Sequence, residues 1–213
     1  MLRLLAVLLS VSPSRAAYAS RSALARLPAP EGCKADGATC TPSSALRLRG
    51  GAEPPSEWLV AGAPQLTLAA ADAMASAALE EASSRNFNDV SVTVLDATGR
   101  VLVSKTMLGC PRLIPDIAHA KAGAAIGTHS STRTLKDKYV PERTPQLLAM
   151  TTISFAHSKP FAAVPGGVLC RDASGRVVGA IGVSGASADE DEHCAIVGGQ
   201  AVGLATEPPQ SAL

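Results

Sequence analysis

Aromatic residues are scarce in this 213-residue chain: Phe, Tyr and Trp together make up 3% of it, so a core has to be assembled from Ala, Val, Leu and Ile. Such a core suits helices lying close on a sheet. Charge is nearly balanced at a net +1, with neither a basic stripe nor a polybasic run. That argues against a nucleic-acid or anionic-membrane partner. The five cysteines (Cys33, Cys40, Cys110, Cys170 and Cys194) form no C-x-x-C pair and no zinc spacing. Their odd number argues against a disulfide framework, and they read as small buried hydrophobes. There is no Walker loop, no zinc motif and no Ser-His-Asp spacing, so no familiar catalytic machinery is legible. The apolar run Leu4 to Leu9 is too short to span a bilayer, and no membrane span is expected in the mature protein.

What that run does fit is a secretory signal. Arg3 precedes it, and Ala17-Tyr18-Ala19 makes a small-x-small cleavage site, so residues 1–19 read as a signal peptide. Residues 20–51 are rich in Ser, Ala, Arg and Pro, with Glu31 and Asp36 as their only acids, which is transit-peptide composition. The two in series are similar to the bipartite presequences of algae with complex plastids. The expected route is the secretory pathway and then a plastid, with plain secretion or mitochondrial import as alternatives. Leu46-Arg47-Leu48-Arg49-Gly50-Gly51 matches the tail of ubiquitin, but no ubiquitin-like domain precedes it; it reads as a presequence end. Residues 52–64, with prolines and Trp58, read as a linker, and residues 207–213, with Pro208-Pro209, as a loose tail.

Residues 65–206 carry one domain. Thr67 can cap a helix over residues 68–84, where Leu68, Ala71, Ala75, Ala78, Leu79 and Ala82 recur at helical spacing. Alternation at Val90, Val92 and Val94 gives a strand. Ala97-Thr98-Gly99-Arg100 then turns the chain into a second strand over residues 101–107. Pro115 opens a helix rich in small residues, a short helix is expected around residues 132–138, and residues 146–154 form an apolar piece, helical or irregular. Val164-Pro165-Gly166-Gly167-Val168 feeds a second hairpin, built like the first on Asp-Ala-x-Gly-Arg. In each hairpin an aspartate (Asp96 or Asp172) can cap the turn. A closing helix is expected from Asp189 to about Ala205, its acids at the positive end of the helix dipole. The order predicts an α+β domain: one antiparallel sheet of about five strands covered by helices.

These segments resemble the GlcG/HbpS-like family, which also supplies the C-terminal domain of PduO-type corrinoid adenosyltransferases. Four stretches carry the resemblance, which covers about residues 65–205: LTLAAADAM, VSVTVLDATGRVLV, DIAHAKAGAAIG with Thr132, and PGGV…DASGRVVGAIGVSGASADEDE. The last is the most specific, with the PGG turn, the GAIGVSG strand and Asp191 at the family's spacing. The resemblance implies a profilin- or PAS-like sheet, self-association into homo-oligomers, and haem as a small-molecule ligand, handled in trafficking, buffering or sensing. One departure matters. Where many members carry an acid after the second strand, this chain has Met107-Leu108-Gly109-Cys110-Pro111, which weakens any mechanism needing a carboxylate there and offers Cys110 as a soft ligand.

Members differ in the residue that ligates iron, so no axial ligand transfers by position. The histidines are candidates. His119 lies on the small-residue helix and His129 in the polar loop after it, while His157 is flanked by Phe155 and Phe161, which can stack on a porphyrin. For His119 the plainer reading is a surface or interface residue, and His193 reads as solvated. The backbone at Pro165, Gly166, Gly167, Ser184 and Gly185 can approach a carboxylate, turn chemistry being the alternative. Lys121 and Arg133 can pair with propionates. Asp189, Glu190, Asp191 and Glu192 are explained by their place at a helix start, with a hard cation as the alternative; no metal site is predicted. Two competing functions share this chain: a cofactor-free enzyme or accessory protein acting on a small organic molecule in the same cleft, and a structural oligomer subunit.

Overall fold

The computed structural model describes residues 62–213. The expected signal peptide and presequence, and Trp58, lie outside the described residues. Helix α1 spans Leu68–Ser84, and the Thr67 hydroxyl accepts the Ala70 amide at 3.2 Å, capping it as the sequence suggests. Its buried face is Ala71, Met74, Ala75, Ala78 and Ala82, and the four alanines are small enough to bring the helix axis near its neighbours.

Strands β1 (Ser91–Asp96) and β2 (Val101–Thr106) form the first hairpin, and β3 (Gly167–Arg171) and β4 (Val177–Ser184) the second. The turns are built alike. Asp96 Oδ1 accepts the Thr98 and Arg100 amides at 2.8 and 3.0 Å, and Asp172 Oδ1 accepts those of Ser174 and Arg176 at 2.9 and 3.0 Å. Gly99 and Gly175 take φ of +84° and +81° in those turns, where a side chain would be strained. Each hairpin also shifts register one step before its turn, at Val94/Leu95 and at Cys170/Arg171.

The sheet has five antiparallel strands in the order β2-β1-β4-β3-β5. One face, with Val92, Val94, Val168, Ile181 and Val183, packs on α1 and on α5 (Ala188–Gln200). The other, with Leu95, Leu169 and Ala180, packs on Ala122, Ala125 and Ile126 of α2 (Ile114–Thr128). The period-2 alternation of the strands divides the two cores. Two further helices, α3 (Thr132–Tyr139) and α4 (Thr144–Ala156), lead from α2 to β3.

The structure differs from expectation at the C-terminal end. The closing helix stops at Gln200 instead of running to about Ala205, and Gly203, at φ +77°, turns the chain into β5 (Ala205–Glu207). β5 pairs with β3, whose outer edge would otherwise be open. The tail is anchored instead of loose: Pro209 O accepts Gln200 Nε2 at 2.9 Å, and Ser211 Oγ lies 3.0 Å from His193 Nδ1. The apolar piece around residues 146–154 is helical, with Pro145 in the first turn of α4, where its missing amide is harmless.

Candidate functional site

The PGG turn and the glycine-rich strand are filled by the protein's own chain. Gly166, at φ +120°, has Lys121 Nζ 2.8 Å and Val183 O 2.7 Å from where a Cβ would stand. Gly167 N donates to Thr132 Oγ1 at 2.8 Å. Gly185 abuts the backbone at Asp89 and Val90, with Val90 Cα 2.8 Å from its missing Cβ, and Gly182 abuts α2. Pro165, Gly166, Gly167 and Ser184 are buried. The approach that these glycines permit is that of neighbouring backbone.

The basic residues expected at propionates are engaged by the acids of α5. Lys121 is 2% exposed, and its Nζ donates to Asp191 Oδ2 at 2.6 Å and to Val183 O at 3.0 Å. Burial pushes the Lys121 amine below its ordinary value and the Asp191 carboxyl above its own, and the attraction between them opposes both shifts. Arg133 donates from Nε to Glu192 Oε2 at 2.6 Å and from Nη2 to Asp189. Burial raises the Glu192 carboxyl, whose Oε1 has no hydrogen-bond partner among the described residues. Thus Asp191 and Glu192 are buried members of ion pairs, while Ser187 and Glu190 form the capping box of the helix. Helix-start charge accounts for only part of this cluster.

The histidines separate. His119 lines a cleft of about 150 Å³ with Thr93, Ser104 and Asp116. His129 and His157 are the C-caps of α2 and α4, the former left-handed at φ +52°. His193 is half-buried, not solvated: its Nε2 lies 2.7 Å from Glu81 Oε1, which together with Ser211 makes a Ser-His-Glu row. None of those three residues lines the cavity described next. Cys110 Sγ donates to Asp89 O at 3.0 Å, and burial raises its thiol, with the Asp89 charge adding to the effect.

A candidate space for a ligand lies elsewhere. A cavity of about 440 Å³ opens between α2 and α4, within the roughly 300–1,000 Å³ usual for small-molecule sites. α2 contributes Gly123, Ile126, Gly127 and Thr128, and α4 contributes Met150, Ile153 and Ser154. Lys159, Pro160 and Phe161 close one side, and Leu95, Thr98 and Gly99 of the first hairpin another. The walls are mainly apolar, and Lys159 is their single charged side chain. Asp96 holds the hairpin wall in place. Burial alone would raise its carboxyl, but hydrogen bonds from the Thr98 hydroxyl and from Arg100 outweigh that and hold it at about 2.

Of the ligand candidates read from sequence, none lines this cavity; His129 and His157 adjoin it in sequence, next to Thr128 and two residues before Lys159. Phe161 lines it, whereas Phe155 is 85% exposed. Met150, Lys159 and Thr98 were not among the site candidates read from the sequence. The available signal was the segment TPQLLAMTTISFA, which has no charged side chain; in the structure it forms α4 and buries none of its residues. Among the described residues no three His, Cys, Asp or Glu side chains gather as a metal group, and no helix is long and apolar enough to cross a membrane.

The chain matches nearly the full length of several solved structures with this fold. A complex of PduOC with haem is 23% identical, covering 66% of this chain and 97% of the other, with a TM-score of 0.57. The protein ORFY of Klebsiella pneumoniae is 25% identical over 66% of this chain and 93% of the other, also at 0.57. A doubly substituted HbpS of Streptomyces reticuli is 29% identical over 72% and 97%, again at 0.57. No curated protein matches the chain. The model of the family described as "Haem degrading protein HbpS-like" matches residues 66–200, from just before α1 to the end of α5, and the chain belongs to that HbpS-like family.

Proposed function

We propose that this protein binds haem, or a related tetrapyrrole, in the cavity between α2 and α4, and that it traffics, buffers or senses the ligand. The cavity carries the reading. Leu95, Ile126, Ile153, Pro160 and Phe161 give apolar walls suited to a flat macrocycle, and Lys159 offers one cation for its carboxylates. Family membership supports the haem class, and the PduOC complex is an instance of this fold with haem bound. Among the lining residues the polar groups are the hydroxyls of Thr98, Thr128 and Ser154 and the Lys159 amine, a set better suited to holding a ligand than to general acid-base chemistry near neutrality. The presequence pattern of residues 1–51 supports a plastid as the place of action. Leu148 and Phe155, each more than 60% exposed on α4 and off the cavity lining, support self-association.

Titrating the full chain with hemin tests the proposal. Saturable binding with a shifted Soret band, at micromolar hemin, is the expected outcome. A flat titration in both redox states would sink it.

A further inference from the structure

Resting on that haem reading, we propose that Met150 is the protein ligand to the haem iron. Haem iron takes His, Met, Cys or Tyr as its axial partner, and Met150 is the one residue of those types among the cavity's lining residues. Met150, Ile153 and Ser154 fall at i, i+3 and i+4 of α4, so one face of the helix presents the thioether one turn from an apolar neighbour and a hydroxyl. The three candidate histidines sit off the lining: His119 at a separate cleft, His129 and His157 at helix ends. Cys110 is turned to the Asp89 carbonyl.

The second polar feature sets orientation. Lys159 is exposed and lies on the connector after α4, so carboxylates drawn to it stay toward solvent while the macrocycle's centre goes inward, toward α4. A thioether is a soft, neutral donor. It favours ferrous over ferric iron and raises the reduction potential relative to an imidazole or thiolate. The consequence is a haem held more tightly when reduced.

Met150→Leu removes the sulfur at nearly constant volume and keeps the wall apolar. In the full chain loaded with hemin, the expected result is loss of the near-infrared sulfur-to-iron charge-transfer band and a fall in midpoint potential. Metal-free protoporphyrin should bind the variant as it binds the parent, because the wall persists. Met150→His should restore axial ligation with an imidazole-type spectrum at a lower potential than the parent. Spectra and potential that ignore both substitutions would overturn the assignment while leaving the haem reading standing. Failure of the parent chain to bind hemin would overturn both. If Met150→Leu also loses protoporphyrin, the Met150→His chain decides: an imidazole-type spectrum upholds the assignment, and a spectrum identical to the parent's defeats it.

Discussion

At Gly182 a hydrogen atom stands where any larger group would meet backbone. A Cβ there would fall on the Ala118 carbonyl oxygen and 2.7 Å from the Ala122 amide nitrogen, both in α2. Neither atom belongs to a flexible side chain, so Gly182→Ala must lift the helix off the sheet. The expected cost is about 2–3 kcal/mol, at the upper end for overpacking, read as a lower urea midpoint with an unchanged m-value. Asp96 gives a residue-scale prediction in pH. Its folded carboxyl titrates at about 2, against 3.8 in the unfolded chain, so its contribution is fully present above 3.8 and disappears as pH falls through 2. The side chain is 9% exposed, and the shift corresponds to roughly 2 kcal/mol near neutrality. Asp96→Asn should remove most of this at pH 7, and the gap in denaturant midpoint between variant and parent should close as pH drops from 4 to 2. A constant gap would mean that the Asp96 charge contributes nothing.

Among the elements, α4 behaves unlike the rest. The other four helices each bury at least two residues, whereas α4 buries none and leaves Leu148, Ile153 and Phe155 exposed. A ligand in the cavity would provide the packing partner that its inward side chains lack. Amide exchange along residues 144–156 should therefore slow on hemin loading, while that of β1 and β4 stays the same. Equal exchange with and without hemin would place the ligand away from α4. The hairpins, α1 and the small-residue helix α2 could be read from the sequence because local rules govern them: alternation at Val90, Val92 and Val94, the Thr67 cap, and aspartate-glycine turns. The cavity was not legible. It arises from the spacing of α2 and α4 in three dimensions, and spacing leaves no periodic trace. β5 was missed for a related reason, since three residues carry no alternation and pair only because β3 offers an edge. Lys121 and Asp191 stood out in the sequence, but their partnership spans 70 residues and depends on the closed fold.

Across the whole molecule, that pair fastens the two layers that the sheet keeps apart. Lys121 belongs to α2 on one face and Asp191 to the start of α5 on the other, and the Lys121 amine also holds the Val183 carbonyl near the end of β4. The Asp191 Oδ1 atom accepts the Ala186 amide at 3.0 Å, so the link between β4 and α5 is tied in as well. Both side chains are nearly without solvent contact, which makes their pairing obligatory more than it makes it stabilising. Lys121→Met leaves a buried carboxylate with no cation and should cost about 3–5 kcal/mol, measured by urea denaturation at neutral pH. Joining it to Asp191→Leu removes the stranded charge, and the double variant should regain most of that loss. The coupling between the two substitutions is then large, as expected for groups in direct contact. Additive losses would instead mean that each side chain acts through its own packing. In that case the ion pair would not be what holds α2 and α5 across the sheet.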